Sequence, residues 1–442
     1  MQRLLLILAA VLSVAVATLL GGVVRETRAD DAPRVAESAR LAKRGLELQE
    51  RARRSSDPKL YPAAERAFGA SIRLDPRNAT AVRGLAALAG SRHRFRDMLP
   101  LARRALALEP ESAAVHGILG DALLELGRYR EAFAEFDRLA ALKPSASAYA
   151  RISYARELRG DLDGALQAME LAIDSAAPGE PSALMRTLAG NLLLAERRVR
   201  EATLRYREAL AFLPEYAPAL AGLGHVRRAS GDVTAAVPLY RRAAAASPAP
   251  EYAATLGDLL DRLGRRAAGA RAWQRAEALE AQFAANGGDN RLETAEFDLN
   301  HDRDLVDALV RAVAGRAARP SVEGDHVLAW ALYKNGRCTE ARLVSLRSFR
   351  LGTLDVDGLY HHSLIEACLG NGAAATAYRA RVRRLDPRYL DAPPSARRLA
   401  AEAIDSAPWS PSASPTSSAS PRSGSSPAPS ATTRAARATS WR

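Results

Sequence analysis

The chain has 442 residues, 48% apolar but only 5% aromatic, so a core must be built from Ala, Leu and Val, which suits packed helices better than sheets. That length fits about three globular domains or one long repeat array. Two cysteines exclude a disulfide-stapled scaffold, a cysteine zinc finger and a cysteine-held iron–sulfur cluster, and the net charge of +13 comes from 63 basic residues, all but four of them arginine.

In chain order, the first predicted element is Leu4–Val24, a run without a single charge. As a helix it spans about 31 Å, close to the roughly 30 Å of a bilayer's hydrocarbon core. Ala15-Val16-Ala17 offers a small-x-small cleavage site, as in a signal peptide. The apolar run continues from Thr18 to Val24, past that site, which favours an uncleaved anchor over a secreted, cleaved form, and a plain core helix is a weaker third reading. Residues 1–31 are therefore expected to be an anchor or signal segment with a short linker, placing the bulk of the chain outside the cytoplasm at the cell membrane.

Over 32–399 the chain repeats itself. Prolines stand at Pro76, Pro110, Pro144, Pro178, Pro214 and Pro248, five nearly equal steps along the chain. Pro320 and Pro387 continue the series. A fixed period of about 34 signals stacked supersecondary units. From Gly117, Ile118, Leu119, Ala122 and Leu123 recur at helical spacing and Gly127 ends the helix. Ala132, Phe136 and Leu139 then mark a second amphipathic helix, stopped by Pro144. That is helix–turn–helix in one period.

The pattern resembles the tetratricopeptide repeat. Its small position eight reads Ala86, Gly120, Ser153, Gly190, Gly224, Gly257, Ala329 and Ser363, and its small position twenty reads Ala64, Ala132, Ala165, Ala202, Ala236, Gly269, Ala308, Ala341 and Ala375. Its bulky position twenty-four carries Phe68, Phe136, Tyr206, Tyr240 and Trp273. Two helices cross closely where small side chains meet, and the bulky residue fills the space beside them. Gly127, Gly160, Gly231, Gly264, Gly336 and Gly370 fit helix ends that need a left-handed residue. The fold expected is all-α, a right-handed superhelical solenoid of about ten repeats beginning near 45, 79, 113, 146, 183, 217, 250, 289, 322 and 356.

Departures concentrate at the edges. The first repeat has Arg51 and Ser55 where apolar residues belong, Met98 breaks the small rule in the second, and Glu296 breaks it in the eighth. An insertion around Asn286-Gly287-Gly288-Asp289 is expected to kink or divide the array, making 284–321 irregular. Arg34–Arg54 reads as a long capping helix and Leu385–Leu399 as the closing one. Residues 400–442 read as a Ser/Pro/Ala-rich disordered tail. Its final stretch, Ser406–Arg442, holds four arginines and no acid, too little apolar surface to offset ordering entropy. The body keeps +9, with both signs mixed along the helices. Nucleic acid, which asks for clustered basic residues with stacking aromatics, is excluded as a partner. The arginine bias and alanine-rich body point to a bacterial source with a GC-rich genome.

The resemblance implies a protein or peptide partner held in the concave groove by the first helix of each repeat. Carried over position by position, the groove residues are Arg83, Asp121 with Glu125, Tyr154, Asn191, His225 with Arg228, Asp258 with Asp261, His326, Trp330, Tyr333 with Lys334, and Tyr360. Asn191 can donate to and accept from a peptide backbone, and Trp330 and Tyr333 are interface-anchor types. The plain alternative is that these are wet helix faces.

Other constellations weigh less. His301 among Asp298, Asn300, Asp302 and Asp304 has metal-ligand chemistry, but Asp302 or Asp304 more simply caps the next helix. An envelope ligand- or metal-handling protein is the alternative function. His361-His362 with Glu366 reads as packing, and Cys338 and Cys368 as separate thiols, with a disulfide the lesser reading. No phosphate loop, nucleophile elbow or dinucleotide fingerprint occurs. No enzyme, cofactor or metal is expected.

Overall fold

The computed structural model describes residues 32–387 and 389–391. The apolar segment Leu4–Val24, residues 392–399 of the expected closing element and the tail lie outside the described residues. Among the described residues regular structure is entirely helical, and no helix is long and apolar enough to cross a membrane.

The described residues form twenty α-helices in ten antiparallel pairs: α1 over 32–55 with α2 (Tyr61–Leu74), α3 (Ala79–Ser91) with α4 (Phe95–Leu108), α5 (Ala113–Glu125) with α6 (Tyr129–Leu142), α7 (Ala146–Leu158) with α8 (Leu162–Asp174), α9 (Glu180–Ala195) with α10 (Val199–Phe212), α11 (Ala217–Ala229) with α12 (Val233–Ala246), α13 (Pro250–Arg262) with α14 (Arg266–Ala285), α15 (Arg291–Asn300) with α16 (Leu305–Ala318), α17 (Val322–Lys334) with α18 (Cys338–Ser348), and α19 (Val356–Cys368) with α20 (Gly372–Leu385). Successive pairs pack on one another, apart from the thin junction between the seventh pair and the eighth, and the core runs as a string of clusters between them rather than as one central mass. This is the helical solenoid the period implies.

The small-and-large rule has a direct steric cause. A Cβ on Gly120 would fall inside 3.0 Å of the Phe136 ring, and the same holds for Gly190 against Tyr206, Gly224 against Tyr240 and Gly257 against Trp273. Tyr206 is also clasped from the next repeat by Gly222. The ring fills the crossing, so the facing helix has no room for a side chain.

The irregular repeats follow the same physics. In the first, a short 3-10 turn at Pro58–Leu60 lengthens the linker. Phe68 then meets Gly45 rather than Ala52, a shift of about two helical turns, and Arg51 and Ser55 face solvent. In the second, Met98 is buried against Gly90, and the bulky position is the small Ala102; large and small have exchanged places. At the insertion the packing of helix on helix thins, and side chains such as His301 on Asp258 and Trp273, and Arg303 on Glu277, carry the contact from α13 and α14 to the eighth pair. Helix α14 runs through to Ala285, Gly287 turns the chain at φ +86°, and α15, α16 and α17 continue the stack.

Each pair turns through a left-handed residue, and the eighth through two, Asp302 and Asp304. Glycine serves at 127, 160, 231, 264, 336 and 370, while Ser56, His93, Arg197 and Asp302 hold φ between +49° and +62° without that freedom.

The coil also meets itself. Ser56 Oγ lies 3.3 Å from Ser247 Oγ, Val322 N donates to Tyr129 Oη at 2.6 Å, Thr353 Oγ1 donates to Leu158 O at 2.6 Å, and Arg197 Nη1 donates to Asp386 Oδ1 at 3.1 Å, contacts 189 to 195 residues apart in sequence. Within the insertion, Asp289 N donates to Arg92 O at 2.8 Å. The rule is constant: the turn inside a repeat touches the linker before the repeat six further on, or, for the fifth repeat, the segment after the last helix. One superhelical turn is therefore about six repeats, and successive turns are in contact.

Candidate functional site

Because the coil returns on itself, its first helices enclose a space. A cavity of about 900 Å³ is lined by α1, α3, α5 and α7 from one turn and by α13, α15 and the long α14 from the next. The apolar part of its wall includes Tyr61, Phe95, Met98, Ile118, Leu124 and Phe297. The rest is mainly charged. Arg151 grips Asp121 with two hydrogen bonds, of 2.8 and 2.6 Å. Arg319 bridges Glu125 at 2.6 Å and Glu293 at 2.9 Å, tying the two turns together. Glu280 accepts from Asn290 Nδ2 at 2.6 Å. Burial pushes its carboxyl up to about 8, and the nearby Glu293 and Glu251 charges add to the shift. Glu280 is therefore largely protonated at neutral pH.

A second pocket, of about 160 Å³, continues from Tyr154, which lines both. It brings together Asn191, His225 and Arg228. Asn191 Oδ1 accepts from Tyr206 Oη at 2.8 Å, so one of its two lone pairs serves a core tyrosine. Burial, and secondarily Arg228, pushes the His225 imidazole down to about 3; it is neutral and packs edge-on to Tyr240.

Of the residues read from sequence, Asp121, Glu125 and Tyr154 line the large cavity, and Tyr154, Asn191, His225 and Arg228 the small one. The remainder line neither. Arg83 donates to Glu109 at 2.8 Å. Asp258 accepts from Trp273 Nε1 at 2.9 Å, and Asp261 sits one turn further along α13 against Gly269. His326 is buried between Asp355 and His361. Trp330, expected to anchor a partner, is only 3% exposed. It stacks on His361 with ring centres 3.7 Å apart and donates to Asn300. Tyr333 stacks on Trp330, Lys334 pairs with Asp302, and Tyr360 is buried. In the last two repeats the expected groove residues are thus largely core.

Sequence reasoning missed His93, Glu280, Glu293 and Arg319. His93 sits in a turn, Glu280 on the second helix α14, Glu293 on the first helix α15 of the irregular eighth repeat and Arg319 on a linker, and they meet only because the coil closes. The long α14 and its insertion were the available signal.

The other constellations are structural. His301 has Nε2 2.8 Å from Asp258 Oδ1 and Nδ1 2.6 Å from Phe297 O, while Asp298 pairs with Arg311. No group of three metal-ligating side chains is disposed to hold an ion among the described residues. Asp304 precedes α16 in a left-handed conformation, and its side chain does not cap the helix. His362 and Glu366 are buried together, held by Ser345, Arg342 and Asn371. Cys338 and Cys368 are not separate thiols: they form a disulfide with Cα atoms 6.3 Å apart.

Tetratricopeptide-repeat models match residues 91–153 and 187–250. No curated protein matches the chain. Among solved structures, a thermophilic tetratricopeptide-repeat protein of Thermus thermophilus is 20% identical, with TM-score 0.37 over 44% of this chain and 97% of that one. The human IFIT1 dimer with m7Gppp-AAAA is 16% identical, with TM-score 0.39 over 74% and 68%. YrrB, described as having an unusual peptide-binding site, is 18% identical, with TM-score 0.29 over 41% and 93%. The chain thus carries tetratricopeptide repeats, and these likenesses concern the fold alone.

Proposed function

We propose that the chain is a non-catalytic scaffold that holds a partner protein or peptide along the inner face of its coil, outside the cytoplasm and tethered through Leu4–Val24. The observation that carries this reading is the cavity of about 900 Å³ walled by first helices of repeats from two successive turns together with the long second helix α14. Tetratricopeptide repeats act as interaction scaffolds, and the cavity offers apolar, aromatic and ionic surface along one path. The charged residues are held in pairs that position them rather than activate them. The disulfide between Cys338 and Cys368 supports the extracytoplasmic placement, since such bonds persist in oxidising compartments.

The test is a photo-crosslinking amino acid at Ser91, on the cavity wall, against one at Leu343, which is exposed. Both are expressed in the full chain in its native cell, and the mature N-terminus is sequenced in the same sample. One reproducible adduct from Ser91 alone, in the membrane fraction and with Met1 or Gln2 intact, is the expected result. Equal or absent adducts at the two sites would sink the scaffold reading. A start near Thr18 or Arg25 with soluble protein would remove the tether.

A further inference from the structure

The charge inside the coil is opposite in sign to that of the whole. The cavity wall carries ten carboxyl groups against five guanidiniums, in a chain of net charge +13. Each of those five arginines is held by a carboxylate of the same wall: Arg53 by Glu50, Arg151 by Asp121, Arg303 by Glu277, Arg311 by Asp298 and Arg319 by Glu125. Carboxyl groups therefore outnumber guanidiniums along this wall even with Glu280 protonated. Glu280 sits among them: burial first, and then the neighbouring Glu293 and Glu251 carboxylates, keep its proton on. The wall also displays how it would treat a guanidinium. Arg319 lies over the Phe95 ring at 5.5 Å and Arg303 over Phe297 at 5.6 Å, both stabilising cation–aromatic contacts.

We infer that the occupant of this cavity is an extended, arginine-rich segment of another protein, drawn in by the acidic wall and laid over its aromatic floor. The inference rests on the scaffold reading and adds the partner's chemistry to it. The basic exterior sharpens selection. A cationic segment is repelled by the outer surface and attracted only inside, so complementarity sets where it binds as well as how fast.

The test uses three fluorescein-labelled twelve-residue peptides of one design, alternating alanine with arginine, serine or glutamate. Each is titrated into the purified full chain by anisotropy at 50 and 300 mM salt. The arginine peptide is expected to bind at least tenfold more tightly than the serine peptide, with the glutamate peptide undetected. Its affinity should drop several-fold at high salt, because added ions screen the attraction over a shorter range. The triple variant Glu251→Gln/Glu296→Gln/Glu323→Gln should lose at least tenfold. Glu111→Gln/Glu131→Gln/Glu340→Gln, which removes as many outer charges, should lose less than twofold. Circular dichroism on both variants confirms that they fold. Equal binding of arginine and serine peptides, or equal losses in the two triple variants, would overturn the inference. Arginine-peptide binding only after Arg422, Arg434, Arg437 and Arg442 are changed to serine would also overturn it, by making the chain's own tail the occupant. Preference for the serine or glutamate peptide, with Ser91 adducts retained, would remove the charge assignment and leave the scaffold. Loss of Ser91 adducts together with all peptide binding would remove both.

Discussion

A glycine at a left-handed turn is required for backbone reasons alone, and Gly336 is such a case, with nothing near the position a Cβ would take. Gly127 has nearly the same φ but faces Pro320 O of the next turn, inside 3.0 Å of that position. Gly336→Ala is expected to cost about 1 kcal/mol from strain, and Gly127→Ala about 2–3 kcal/mol, because the contacting linker must also move. Thermal midpoints of the two variants would decide it, and equal shifts would count against the turn-to-turn contact. Two buried groups push the pH response in opposite directions. His225, with a folded value of about 3 below an unfolded 6.5, costs nothing above pH 6.5 and progressively more as pH falls. Glu280, raised to about 8 from 4.5, costs nothing below pH 4.5 and progressively more as pH rises to 8. Each slope is at most about 1.4 kcal/mol per pH unit. Stability should be flattest between pH 4.5 and 6.5, where the slopes oppose. Glu280→Gln should remove the decline above pH 6.5, and an unchanged alkaline limb in that variant would show that other groups set it.

At the scale of helices, the sequence was most legible where small and bulky positions pair. The glycine at 120, 224 or 257 and its aromatic partner fix both helices at once, and starts near 113, 217 and 250 agree with those of α5, α11 and α13; those near 79, 146, 322 and 356 agree with α3, α7, α17 and α19 on a small Ala or Ser alone, whereas α9 begins at Glu180, ahead of the expected 183. Legibility failed where a compensating change lay elsewhere. The linker before α2 moves the partner of Phe68 to Gly45, and Ala102 makes room for Met98, neither of which a fixed register reveals. Groove positions failed for a different reason: Trp330 and His326 occupy the expected face, but later helices and the 353–356 linker cover that face in the last repeats. The disulfide belongs to this scale too. It joins the first residue of α18 to the last of α19 across 30 residues. Reduction should lower local stability by about 2–4 kcal/mol. Hydrogen exchange should accelerate over α17–α20 while α5–α10 keep their protection. Uniform acceleration would show that the bond stabilises the array as a whole.

For the molecule as a whole, closure turns on a few buried groups. Arg319 is ionically bonded to carboxylates of two different turns, and Tyr129 Oη satisfies the Val322 amide from one turn to the next. Tyr129→Phe leaves that amide unsatisfied, at about 1–3 kcal/mol. Arg319→Gln strands two carboxylates, at about 3–5 kcal/mol. Small-angle scattering should show the Arg319→Gln coil lengthened, and an unaltered radius of gyration would mean that the remaining contacts suffice to hold it. An ordinary repeat stack behaves as a one-dimensional chain in which each unit feels only its neighbours, so it frays from its tips and tolerates deletion of a terminal unit. Contacts between units six repeats apart give this array the high contact order of a far less local fold. Its formation must wait on loop closures of that size, its ends are pinned to its middle, and melting should be a single event in place of gradual unzipping. Cutting away the last three repeats would then weaken the second to the fifth, from which they are far removed in sequence.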